Sequence, residues 1–135
     1  MKGKVGVLLL AVRNFPEMLS FYRDKLGLRV SSIRPGHGIE PLKDWARLEF
    51  NDTNDTAIEL FDESQHPPRT APPYPRENSF IVAIRVEDIQ TTHAELESRG
   101  VEFKRGIGEE EWGWYVHFRD PEGNRLQLYQ PRPGY

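Results

Sequence analysis

The sequence predicts an α+β fold of two β-α-β-β-β modules, whose sheets, if they combine into one curved mixed sheet, line a concave cavity. Three observations predict it. The 135-residue chain carries eleven glycines and eleven prolines, too many for a bundle of long helices and too few for a disordered linker protein. Its two halves resemble each other: LLLAVRNFPEMLSFYRDKLGLRV in the first and IVAIRVEDIQTTHAELESRGVEF in the second. Each reads as an apolar strand ending in Val12 or Val86, a helix start, an amphipathic helix, a stop at Gly27 or Gly100, and a further strand, which is the pattern of a duplicated supersecondary unit. Between them lies SQHPPRTAPPYPREN, Ser64 to Asn78, with five of the eleven prolines. Proline removes an amide donor and fixes φ, so this stretch is neither helix nor central strand. The expected organisation is one domain, with a module over 1–63, a connector over 64–78 and a second module over 79–135.

In the first module Asn14 caps a helix with Glu17 three residues on, and Pro16 falls in the first turn, where its missing N–H costs little. Met18, Leu19, Tyr22 and Leu26 recur at helical spacing. In the second, Asp88 takes the cap role, Ile89, Thr92 and Leu96 share a face, and Gly100 suits a left-handed C-cap. Short strands follow each helix. They are expected at Leu28 to Ile33, Trp45 to Phe50 and Ala57 to Phe61, then at Val101 to Lys104, Trp114 to Phe118 and Arg125 to Tyr129. NDTNDT joins the last two strands of the first module and DPEGN those of the second, where Pro121 and Gly123 suit a tight turn.

Composition excludes several functions. A net charge of −3, from 18 basic and 21 acidic residues, lacks the basic field that nucleic acid binding requires. The longest apolar run, Val7 to Val12, is far short of the roughly 20 residues that span a bilayer and leads straight into a helix signature, so neither a membrane span nor a signal peptide is expected. The expected location is the cytoplasm. No cysteine is present, which removes disulfides, thiolate metal sites and thiol nucleophiles. No phosphate-binding glycine motif, Ser-His-Asp order or HExxH helix occurs.

Strand alternation lists what the uncovered face of each sheet carries. With Ala46, Leu48, Phe50, Ile58 and Leu60 packed under the first helix, Trp45, Arg47, Glu49, Ala57, Glu59 and Phe61 stand opposite. With Val116, Phe118, Leu126 and Leu128 packed under the second, Tyr115, His117, Arg119, Arg125, Gln127 and Tyr129 stand opposite. Aromatics with a few polar groups are what a small-molecule pocket requires. Glu59 is either a general base in an apolar cavity or the partner of Arg47 in an ion pair. His117 is either a proton carrier or substitute ligand, or a strand histidine that lines a pocket. His37, His66 and His93 read as loop or helix-surface residues. Gly106 to Tyr115, GIGEEEWGWY, is either a lid that brings tryptophans over a ligand or a solvated turn. Glu109, Glu110 and Glu111 read as a solvated charge run.

The repeated unit, the segments VRNFPEMLSFYRDKLGLRV and HFRDPEGNRLQLYQP, and the strand ending IEL together resemble the vicinal oxygen chelate superfamily, which includes glyoxalase I, bleomycin-resistance proteins, fosfomycin-resistance enzymes, epimerases and extradiol dioxygenases. The resemblance covers nearly the whole chain and implies the fold, though fold does not fix function. It also implies where a metal would sit: commonly a histidine on the first strand and a glutamate on the last strand of each half. Those positions fall here on Val7, Ile81, Glu59 and Gln127. Two aliphatic residues, one carboxylate and one amide make a poor site for a borderline metal. The expectation is therefore a small-molecule binding or sequestering protein like the bleomycin-resistance branch, a homodimer without cofactor or metal. Trp45, Trp112, Trp114, Tyr115 and Tyr129 supply stacking, with Arg47 and Gln127 fixing orientation. The alternatives are a glyoxalase-like lyase or epimerase-type isomerase with Glu59 and His117 as catalytic groups, any metal being held by Glu59, Gln127 and His117, and a partner-binding module with a vestigial cavity.

Overall fold

The computed structural model describes residues 1–2, 5–34, 44–50, 56–62 and 80–135. The chain divides into two compact units, Met1–Pro73 and Tyr74–Tyr135, the boundary falling inside the proline-rich stretch. His37, His66, most of the NDTNDT turn and the connector itself lie outside the described residues.

The first unit contains β1 (Val7–Val12), α1 (Phe15–Ser20) continued by a π-helical turn over Phe21–Lys25, β2 (Arg29–Arg34), β3 (Trp45–Glu49) and β4 (Ala57–Asp62). Its strands lie in the order β1-β4-β3-β2, with β1 and β4 parallel and the other pairs antiparallel. The Asn14 side chain accepts from the Glu17 amide at 3.2 Å, so the predicted cap forms. Beyond Ser20 the helix widens, with the Leu26 amide donating to the Phe21 carbonyl at 3.0 Å. This extra residue per turn lets Phe21 and Tyr22 both reach the core, where their rings meet edge to face at 5.2 Å. Phe21 therefore joins Met18, Leu19 and Tyr22 in the core, while Leu26 stays half-buried. Ala46, Leu48, Ile58 and Leu60 meet them from the sheet, and α1 packs chiefly against β4. The strand β2 is bulged between Val30 and Ser32.

The second unit contains β5 (Ile81–Arg85), α2 (Ile89–Ser98), β6 (Gly108–Glu110), β7 (Gly113–Arg119) and β8 (Arg125–Pro131), in the order β5-β8-β7-β6, with β5 and β8 parallel. Asp88 caps α2 by accepting from the Thr91 amide at 3.1 Å, and that bond holds its carboxyl below the usual aspartate range. Gly100, at φ 93°, ends the helix with the Val101 amide donating back to the Leu96 carbonyl at 3.0 Å. Ile89 and Leu96 are buried as expected, with Val116, Phe118, Leu126 and Leu128 beneath them.

One strand is not where the sequence suggests. Val101 to Lys104 pairs with nothing as a strand, and the fourth strand is instead Gly108–Glu110. The apolar alternation of Val101 and Phe103 has another use: Val101 closes the helix C-terminus, and Phe103 wedges between His93, at 4.2 Å, and Phe118, at 5.4 Å, by ring centroids. His93 is accordingly a packed residue, its Nδ1 3.1 Å from Glu97. The two modules are thus βαβββ in order, each a helix laid on one face of a four-stranded mixed sheet.

Candidate functional site

On the first unit the face away from α1 carries a chain of alternating charges. Arg47 stands directly across from Glu59 in the β3–β4 register. Its Nη1 donates to Glu59 Oε2 at 2.8 Å, while its Nε donates to Glu49 Oε1 at 3.1 Å and Arg29 donates to the other Glu49 oxygen. The remaining Glu59 oxygen, Oε1, accepts from Trp45 Nε1 at 3.2 Å. Hydrogen bonds to Glu49 and then Glu59 raise the Arg47 guanidinium above its ordinary value, and the bond from Arg47 holds Glu49 below its own. Of the two sequence readings of Glu59, the geometry forms the ion pair. A carboxylate with both oxygens engaged by an arginine and an indole is poorly placed to take a proton from carbon. Trp45 likewise does more than offer a ring, since its N–H anchors Glu59.

On the second unit the face away from α2 is arranged in rows across the strands. Ala83, Gln127 and His117 form one row; Arg85, Tyr129, Tyr115 and Gly108 form the next. Beyond Gln127 in the other direction come Ile81, Arg125 and Arg119. The two-residue turn Glu111–Trp112 then folds the Trp112 ring onto the tyrosines, 5.9 Å from Tyr115 in a stacked arrangement and 6.3 Å from Tyr129 edge-on. Tyr115 in turn meets His117 edge-on at 5.5 Å. Two glycines permit this. A Cβ on Gly108 would lie 2.7 Å from Tyr115 Cζ, so the tyrosine ring occupies the space a side chain there would fill. Gly113, at φ 156°, brings its backbone so near β8 that a Cβ would lie 2.2 Å from the Gln130 carbonyl oxygen.

Trp114 does not join this surface, contrary to the expectation that it would stack beside Trp112 and Tyr115. Successive residues of a strand point to opposite faces. Trp114 pairs with Gln130, whose Oε1 accepts from the Ile89 amide at 2.8 Å at the start of α2. Its ring is covered by Arg132, 4.3 Å from the centroid, and Arg132 also pairs with Glu109. The run Gly106 to Tyr115 is thus largely a β-hairpin. Of its three acids Glu109 is in an ion pair, and all three are exposed.

Partial loss of solvent, followed by the nearby Arg125 charge, pushes the His117 imidazole below its ordinary 6.5, so it is neutral at pH 7. The unfolded chain then binds more protons than the folded one at mildly acidic pH. Stability is flat on this account above about 6.5 and falls with pH through the window below it. Thermal unfolding of His117→Gln is expected to show a smaller drop between pH 7.5 and 5.5 than the parent chain; parallel curves would place no such load on His117.

The residues do not suit a divalent metal. The register sets Leu9 beside Glu59 and Ala83 beside Gln127, with Val7 and Ile81 one row away on the same faces, and none of the four offers a donor. Glu59 is already satisfied by Arg47 and Trp45. Among the described residues no three His, Asp or Glu side chains converge as ligands would.

A family profile described as the glyoxalase/bleomycin resistance protein/dioxygenase superfamily matches residues 4–128, through both units. The chain belongs to this superfamily. One similar protein is YraH, an uncharacterized protein of Bacillus subtilis (strain 168), 28% identical over 132 residues, which span 90% of this chain and 93% of YraH. Among solved structures, a glyoxalase/bleomycin resistance protein from Streptomyces sp. CB03234 is 26% identical with a TM-score of 0.67, covering 92% of this chain and 97% of that one. TnmS3, an antibiotic-binding protein of the same Streptomyces strain, shares the fold at a TM-score of 0.73 and 24% identity, covering 97% and 98%. No described helix is long and apolar enough to cross a membrane.

Alternation in the sequence places Arg125 on the same face as Gln127 and Tyr129, yet its neighbourhood with His117 emerges only from the three-dimensional register. Gly108 and Arg132 carry no sequence signal of their roles, because each acts on a ring brought to it by pairing.

Proposed function

We propose that this protein binds and sequesters a planar aromatic small molecule, of the kind represented by aromatic antibiotics, without transforming it. The observation that carries the reading is the cluster of Trp112, Tyr115 and Tyr129 on the uncovered face of the second unit, each ring only half-buried and bordered by the neutral His117 and by Gln127. Partly exposed, mutually braced rings lose little entropy on meeting a flat ligand. An antibiotic-binding protein among the structures of the same fold supports the reading. So does the Glu59–Arg47–Trp45 arrangement, which uses Glu59, the carboxylate considered for base chemistry, as a structural anion. The single family match running through both units supports treating them as one domain. A homodimer belongs to the same proposal, since Leu9, 58% exposed on β1, and Ile81, 40% exposed on β5, leave apolar side chains open on edge strands.

Titration with bleomycin and with a planar polyaromatic antibiotic such as an anthracycline, followed by calorimetry, tests the binding. Saturable binding of at least one is expected, weakened roughly tenfold in Trp112→Ala, with the ligand recovered unchanged in mass. No saturable binding across such a panel would remove the reading, and a changed ligand mass would make the protein an enzyme. Light scattering on the same samples is expected to give the mass of two chains; a single-chain mass would remove the dimer.

A further inference from the structure

We infer that the ligand of the aromatic face carries an acidic group, a sulfonate, carboxylate, phosphate or phenolate, which the guanidinium of Arg125 receives over the row formed by Gln127 and His117. This deepens the reading of the aromatic face and rests on it.

The rows give the face a direction. At one end are the rings of Trp112, Tyr115 and Tyr129; in the middle are Gln127 and His117; at the far end is Arg125. Tyr129 and Arg125 stand four positions apart on β8, about 13 Å at the rise of a strand. An arginine side chain that leans back along the strand shortens this to about the length of a bicyclic aromatic molecule with one substituent. The depressed basicity of His117, to which the Arg125 charge contributes, agrees with a guanidinium near the imidazole.

Three features make this end a receptor for an anion. First, Arg125 stands directly across from Arg119 in the β7–β8 register, and like charges facing each other across strands repel. Arg119 is drawn aside, its Nη1 donating to the Gly123 carbonyl at 2.8 Å, whereas no carboxylate among the described residues pairs with Arg125. Secondly, none of the three rows contains an acidic side chain, so nothing on the strands there neutralises the charge. The acidic residue of this face is Glu110, opposite Gly113 beyond the aromatic row, where it repels an anion presented the wrong way round. Thirdly, Arg125 is half-buried, and a charge-assisted hydrogen bond in partly desolvated surroundings is stronger than one in open water. The first unit contrasts with this: Arg29 and Arg47 on its uncovered face are already joined to Glu49 and Glu59.

A matched pair of fluorescent probes tests the inference. The anion 8-anilinonaphthalene-1-sulfonate and its parent N-phenyl-1-naphthylamine share one aromatic body and differ by the sulfonate. The folded protein is expected to bind the sulfonate at least tenfold more tightly. The preference should shrink with added salt and collapse in Arg125→Gln, while Arg85→Gln, in the aromatic row, leaves most of it. Equal affinities, or a preference that survives Arg125→Gln, would overturn the inference; so would its loss in Arg85→Gln alone. If both probes bind equally and Trp112→Ala weakens both, the aromatic face stands and only the acidic group is lost. If neither binding responds to Trp112→Ala, the aromatic face itself fails. Far-ultraviolet circular dichroism of each variant confirms that it is folded before titration.

Discussion

Replacing Gly113 by alanine is expected to cost roughly 3 kcal/mol of folding stability, a fall of about 10 °C in Tm. A Cβ there would lie 2.2 Å from the Gln130 carbonyl oxygen and 2.8 Å from Pro131 Cα, both backbone atoms of the paired strand. No rotamer relieves such a contact, so β7 and β8 must separate where their register begins, and an alanine at φ 156° adds backbone strain. Gly108→Ala makes the instructive contrast. Its Cβ would meet the end of the Tyr115 ring at 2.7 Å, and a ring can swing away. The same added methyl should therefore lower Tm only slightly at Gly108 while displacing Tyr115 from Trp112 and weakening ligand binding. Thermal unfolding paired with titration separates the two. Parent-like stability of Gly113→Ala would show that the two strands approach less closely than these distances require.

Much of this architecture is legible in the amino-acid sequence. Asn14, Asp88, Gly27 and Gly100 mark the helix ends, and Ala46, Leu48, Ile58, Leu60, Val116, Phe118, Leu126 and Leu128 mark the buried sheet faces, because caps and alternation are local properties of the chain. What fails is what depends on pairing. Val101 to Lys104 has the alternation of a strand, but Phe103 spends it between His93 and Phe118. Trp112 and Trp114 look alike in sequence, yet Trp112 lies in a two-residue turn that turns its ring toward Tyr115, while Trp114 is fixed by the pleat on the other face under Arg132. The π-helical turn at Phe21 shifts the apolar stripe by one residue, which a strict helical period cannot anticipate.

The candidate site was legible as a set of residues and not as a set of roles. Alternation alone brings Arg47 and Glu59 to one face, but only the register, with Arg47 opposite Glu59 and Trp45 reaching the second oxygen, turns a possible base into an anchored anion. Register does the same for the positions where relatives commonly hold a metal. Leu9 and Ala83, not only Val7 and Ile81, flank Glu59 and Gln127, so a shift of pairing by one row would still bring no imidazole to either.

Asp120→Ala is expected to lower stability by about 3 kcal/mol, because the turn between β7 and β8 is built on that carboxylate. Asp120 is 5% exposed and is the only buried charged residue among those described. Its Oδ1 accepts from the Glu122 amide at 3.0 Å and the Asn124 amide at 2.9 Å, and its Oδ2 from Asn124 Nδ2 at 2.7 Å. Alanine removes all three acceptors at once and leaves three donors in a turn whose Gly123, at φ 86°, is already committed to a left-handed conformation. Asp120→Asn separates charge from shape: its amide oxygen can still serve the two backbone donors, but its amino group faces Asn124 Nδ2, so the loss should be about half. The turn also bears on the proposed anion site, since it sets His117 opposite Gln127 and supplies the Gly123 carbonyl that draws Arg119 away from Arg125. Chemical denaturation is expected to rank the parent above Asp120→Asn and that above Asp120→Ala. The sulfonate preference of the Asp120→Asn protein, measured where it is fully folded, should fall with its turn; an unchanged preference would show that Arg125 holds its place without it.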